Sequence, residues 1–269
     1  MADIEEWEKA PPSAISKALG FFSAPLTWAA KQVIPDDMLE KALQAAFGAA
    51  GAFSGSDDLV KEAALLGFEA ASVRELQKAP LHVSDGLAQN VSTWAKGLAA
   101  AEGAATGVSG LPGLAVDIPA IIVLAIRTIR KIGFCYGFDT SLEEERPFVL
   151  QVLSAGAANT IEEKNQAVAA AGGFRGSEGR EKALTSDNER FIFSKEGFTA
   201  AVRNLAKQLA INLTKRKAAQ TIPLIGGGVA AAMNALFISD IAEAATRLFQ
   251  KRHLEVPTVN TPMARNTWD

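Results

Sequence analysis

Thiols, imidazoles and phenols are nearly missing from this 269-residue chain, which has one cysteine (Cys135), two histidines (His82 and His253) and one tyrosine (Tyr136). One cysteine excludes an internal disulfide and a CxxC motif. The histidines stand far apart, and neither falls in an HExxH or HxH spacing. Zinc takes three or four His, Cys or carboxylate ligands, so no metal is expected, and no cofactor. Aromatic residues make up only 7%, and no run alternates apolar with polar residues as a half-buried strand does. A composition rich in alanine and glycine favours closely packed helices over sheets. A net charge of −3 argues against a nucleic-acid partner. The start, MADIEEWEKAPPS, lacks the basic residues and apolar core of a secretory signal, which leads us to expect a cytoplasmic protein.

What the chain does hold is 48% hydrophobic and 21% charged residues, enough to bury one sizeable core. Apolar residues recur at helical spacing, and the expected fold is all-α, a single globular multi-helix domain with Gly/Ala-rich core helices. Residues 1–12 read as a flexible lead-in with Trp7 as an anchor, 13–255 as the helical domain, and 256–269 as a tail. The stretch Gly172–Arg190, GGFRGSEGREKALTSDNER, reads as an exposed polar insert. Helices are expected over Ser13–Gln32 (interrupted at Pro25), from Pro35 to Phe47, over Ser56–Ala79, over Gly86–Glu102 (with Leu87, Val91, Trp94 and Leu98), from Pro147 to about Asn159, and over Ser194–Lys217. A glycine-rich turn is expected over Gly103–Gly113.

The most distinctive stretch is Gly107–Arg146. Asp117 reads as an N-cap, with Pro119 in the first turn, where a missing N–H is cheap. Ile118, Ile121, Ile122, Ala125, Ile129, Ile132 and Tyr136 follow as one stripe. Arg127, Arg130 and Lys131 are expected on a solvated face, Gly137 at the C′ position, and Ser141–Glu144 in a capping box. Further on, Pro223-Leu224-Ile225-Gly226 opens a small-residue segment. Taken in order, Gly110-Leu111-Pro112-Gly113, Asp117-Ile118-Pro119, Arg127-Thr128-Ile129, Tyr136-Gly137-Phe138-Asp139, Glu143–Arg146 and Pro223–Gly226 with Asn234 resemble the EcsC protein family over about Trp28 to Leu254. The resemblance implies an all-helical fold and a membrane-transport context, because the family is named for a protein encoded beside an ABC exporter. It brings no catalytic residues to carry over.

Several motifs imitate chemistry. Gly107-Val108-Ser109-Gly110 lacks the second glycine of a nucleophile elbow and follows no strand. Cys135 lies late in an apolar helix and reads as a buried structural thiol. Gly226-Gly227-Gly228-Val229-Ala230-Ala231 fits a dinucleotide fingerprint, but no βαβ unit surrounds it and Pro223 interrupts the would-be strand. Close helix packing explains it better, with Gly226, Ala230 and Asn234 on one face. About 22 uncharged residues, 218–239, reach the length of a membrane span, and Lys215, Arg216 and Lys217 precede them like a cytoplasmic flank. The run reads as a core hairpin, an interfacial segment or a span. With Gly226, Gly227 and Gly228, these three cations are candidates for membrane or partner contact. Gly110, Gly113, Asp117, Arg127, Tyr136 and Asp139 are the candidate ligand-binding set, since backbone N–H groups at Asp117 and Ile118 suit an anion if a helix starts there. The expected function is a non-enzymatic accessory protein on a membrane surface or membrane transporter, peripheral at the inner face. The alternatives are a lipid or apolar-ligand module and a hydrolase with a polar pocket near Asp117.

Overall fold

The isoleucine stripe of the central helix is buried along its whole length: Ile118, Ile121, Ile122, Ala125, Ile129 and Ile132 are all at 0% exposure. A computed structural model describes residues 1–12, 36–48, 56–107, 110–172, 195–218 and 226–255. Among these, the regular elements are all helical. They are α1 (Ala2–Lys9), α2 (Asp36–Gly48), α3 (Ser56–Leu65), α4 (Leu81–Gly107), α5 (Gly110–Cys135), α6 (Arg146–Ala157), α7 (Ile161–Gly172), α8 (Lys195–Ala218) and α9 (Gly226–Glu255), with short 3₁₀ turns at Val73–Lys78 and Glu143–Glu145. The expected helix over 13–32, the insert beyond Gly172 and the tail from 256 lie outside the described residues.

Helices α4, α5 and α9 form the centre. α4 and α5 run antiparallel, α9 lies antiparallel along α4, and α6 packs on α9. Glycine sets how closely these helices approach. A Cβ on Gly103 of α4 would stand 2.6 Å from the Ala230 carbonyl oxygen of α9, and one on Gly156 of α6 would stand 2.8 Å from Ile241 Cα. One continuous core joins these helices to α2, α3, α7 and α8.

Two helix ends follow the local chemistry closely. Gly137 has φ +83°, the Phe138 N–H donates to the Gly133 carbonyl at 3.0 Å, and the Gly137 N–H donates to Phe134 at 2.9 Å. This Schellman closure matches the expected C′ glycine. Gly67, at φ +88°, closes α3 the same way through Phe68 and Ala63, so the helix expected over 56–79 stops at Leu65.

Other expectations need correction. The lead-in is the helix α1, with Ile4 and Trp7 buried. The 103–113 turn shrinks, because α4 runs to Gly107 and α5 starts at Gly110. Asp117 is therefore not an N-cap, and Pro119 sits inside the helix. Arg130, expected in solvent, is 2% exposed. The Ser141 hydroxyl donates to Asp139 and caps no helix. A capping arrangement occurs instead at the unforeseen α7, where the Glu163 N–H donates to Thr160 Oγ1 at 3.2 Å and the Glu163 carboxylate accepts from the Asn159 N–H at 2.8 Å. Of the uncharged run 218–239, Ala218 ends α8 and 226–239 begin α9, while 219–225 lie outside the described residues. No helix among the described residues is long and apolar enough to cross a membrane.

Candidate functional site

The candidate ligand residues are spread along α5 and the turn that follows it rather than gathered. Asp117 is 3% exposed and faces both neighbouring helices. Its Oδ1 accepts from Thr106 Oγ1 of α4 and from Asn234 Nδ2 of α9, each at 2.8 Å. A buried carboxylate is costly without such donors, so this oxygen ties three helices together. The N–H groups of Asp117 and Ile118 lie inside α5, where each is spent on the carbonyl four residues earlier. They do not sit at a helix start. Gly110 and Gly113 occupy the first turn of α5, and Arg127 is exposed one face away.

Tyr136 lies roughly 28 Å further along the axis at 1.5 Å per residue. Its hydroxyl donates to Asp85 Oδ1 at 2.6 Å, and Gln250 Nε2 donates to the same oxygen at 2.7 Å. Burial, then the hydrogen bond to Asp85, pushes the phenol far above its ordinary range. Cys135 is fully buried and its thiol is likewise pushed up, chiefly by burial, so neither group ionises near neutral pH. Asp139 serves its own turn, accepting from the Ser141 N–H at 3.2 Å, and lies 3.9 Å from Arg74. Asp117, Arg127 and Tyr136 are not brought into one pocket.

Lys215, Arg216 and Lys217 fall in the last turn of α8, while Gly226, Gly227 and Gly228 form the first turn of α9. Gly228 is exposed, with nothing within 4 Å of the place a Cβ would take.

Three other groupings had little signal in the sequence. Arg252 makes a bidentate pair with Glu145 at 2.7 and 3.0 Å, its guanidinium 4.1 Å from the Phe138 ring centre and 4.4 Å from that of Phe148. This pair is buried and joins α9 to the turn before α6. Lys164 of α7 donates to the carbonyls of Trp7 and Ala10, the latter at 3.0 Å, and its ammonium lies 4.1 Å from the Trp7 ring centre. It thereby caps the C-terminus of α1 from another helix. Beside this contact is a cleft of about 350 Å³ whose lining includes Asp3, Glu6, Asp240 and Glu243. Among the described residues no group of three His, Cys, Asp or Glu side chains is placed to hold a metal ion.

The third grouping is on the outside. Trp94 and Leu98 of α4, read from the sequence as part of its apolar stripe, are 46% and 41% exposed. The buried stripe of α4 runs instead through Ser84, Leu87, Ala88, Val91, Ala95 and Ala99. The Lys131 ammonium of α5 lies 5.1 Å from the Trp94 ring centre.

The family model of the EcsC protein family matches residues 1–254. The chain belongs to the EcsC protein family. A relative of this EcsC-family chain is "Uncharacterized protein YdbA" of Bacillus subtilis (strain 168), 26% identical over 183 residues, which is 68% of this chain and 62% of the relative. The chain thus covers less than two thirds of that relative's length. No solved structure matches this EcsC-family protein. The family match begins at residue 1, so it takes in α1, ahead of the resembling stretch from about Trp28 to Leu254.

Proposed function

We propose that this EcsC-family protein is a non-enzymatic helical accessory protein that works on a membrane surface or on membrane transport machinery. The observation that carries the proposal is the contrast between its interior and its surface. Asp117 and Tyr136, the polar groups of the sequence's candidate pocket, are spent on tying helices together. Large apolar side chains stand in solvent, and on the α4–α5 surface they stand beside exposed or half-exposed cations. Apolar side chains ringed by Lys and Arg suit the boundary between headgroups and acyl chains, where burial of apolar area and attraction to anionic lipid add. The hydrolase reading loses support because Asp117, Arg127 and Tyr136 stand apart. Carriage of an apolar ligand is disfavoured by the carboxylates around the described cleft.

Co-sedimentation of the full chain with phosphatidylglycerol vesicles tests the proposal. Binding is expected at low salt, weaker at high salt and weak on phosphatidylcholine. A chain that stays in the supernatant with anionic vesicles at low salt refutes it.

A further inference from the structure

The outer face of α4 and α5 sets exposed apolar side chains beside cations. Residues 86–101 of α4, GLAQNVSTWAKGLAAA, contain no acid, and neither do residues 118–135 of α5, IPAIIVLAIRTIRKIGFC, although the whole chain carries a net charge of −3. On α4, Trp94 and Leu98 are one helical turn apart and both exposed. On α5, Arg127 and Lys131 are also one turn apart, exposed and half-exposed. The antiparallel register is set by Thr106 opposite Asp117, Trp94 opposite Lys131 and Asp85 opposite Tyr136. In that register Leu98 comes level with Arg127. Two apolar side chains and two cations therefore form a rectangle on one surface.

We infer that this face is where the protein seats on anionic phospholipid, an inference that rests on the membrane-surface reading above. Trp94 and Leu98 enter the headgroup–acyl boundary, the position that indole favours. Arg127 and Lys131 meet lipid phosphates, their long stems reaching over the apolar pair. A second copy of the chain paired about a two-fold axis across the helices would set the cations of α5 against like charge. The described cleft lies away from this face, beside α1.

The test uses the full chain with Leu98→Cys carrying an environment-sensitive NBD label. Cys135 is fully buried and stays unlabelled. With phosphatidylglycerol vesicles the label is expected to brighten and shift to the blue, and with phosphatidylcholine to stay unchanged. Trp94→Ser/Leu98→Ser is expected to lower the vesicle partition coefficient by roughly tenfold. Arg127→Gln/Lys131→Gln is expected to lower it by about twenty-fivefold at low salt, at roughly fivefold per cation. The α8 surface pair Arg203→Gln/Lys207→Gln is expected to bind like the parent, and equal helical circular dichroism shows that all variants fold. If the parent binds vesicles while the label and both α4–α5 pairs show no effect, the face is wrong and the membrane reading stands. If the α8 pair loses as much as the α5 pair, general charge attraction replaces the inference. If the face instead mediates self-association that Trp94→Ser/Leu98→Ser abolishes, it is an interface between copies. If the parent binds no vesicle, both readings fall.

Discussion

Asp117 shows how one side chain can look functional and act as a fastener. In the sequence it stands before Ile118-Pro119, an arrangement that imitates a helix start, so its polarity was legible and its position was not. Only the third dimension brings Thr106 and Asn234 to it. Asn234→Leu removes one donor from a buried carboxylate and is expected to cost about 2 kcal/mol, measured as a shift in urea midpoint. An unchanged midpoint means that Asn234 does not help to satisfy the buried charge. A second prediction concerns pH. Burial raises the folded-state pKa of Cys135 above its ordinary 9.0 and that of Tyr136 above its ordinary 10.0. Above those ordinary values the unfolded chain loses protons that the folded chain keeps, so stability falls as pH rises. Lys164, whose pKa burial lowers from 10.5, works in the opposite sense and is common to both chains in the comparison. Between pH 9 and 10, Cys135→Ala should therefore lose stability less steeply than the parent, by up to about 1.4 kcal/mol per pH unit. Parallel slopes in urea titrations at those pH values go against a buried protonated thiol.

At the scale of the helix, glycine was the residue most easily misread. Around Gly103–Gly113 the glycines suggested a loop, yet Gly103 is helical and is there to let α9 approach. By contrast, Gly137 and the isoleucine stripe of α5 were legible because local backbone geometry and period alone decide them. The two uses of glycine separate by mutation. Gly103→Ala and Gly156→Ala place a Cβ 2.6 and 2.8 Å from the backbone of α9 and should each destabilise by about 1–3 kcal/mol. Gly97 is helical and exposed, with nothing within 4 Å of its Cβ position, so Gly97→Ala should stabilise by about 0.5–1 kcal/mol. Thermal unfolding of the three variants decides, and equal effects contradict the packing explanation. α1 makes a further case. Lys164→Met removes the cation that caps Trp7 and Ala10, and amide exchange in residues 2–10 is expected to quicken while α5 stays protected. Unchanged exchange there means that other contacts, such as Lys251 with Glu8 at 2.8 Å, hold α1 by themselves.

For the molecule as a whole, the all-α class and the family were legible, because the helical pattern recurs along the chain and the motifs from Gly110 to Asn234 keep their order. The surface was not. Trp94 and Leu98 fit an apolar stripe with Leu87 and Val91 on spacing alone, but the 27-residue α4 buries a neighbouring stripe of alanines against α9. A long helix offers more than one apolar line, and only its partners choose between them. That choice leaves an indole in solvent beside Lys131, and the account of function depends on it. Hydroxyl-radical footprinting of Trp94 in the full chain, with and without phosphatidylglycerol vesicles, tests it most directly. The account predicts that vesicles shield Trp94 from oxidation, that phosphatidylcholine does not, and that Trp7, already buried, oxidises slowly in every case. Trp94 oxidised equally fast on vesicle-bound protein would contradict it.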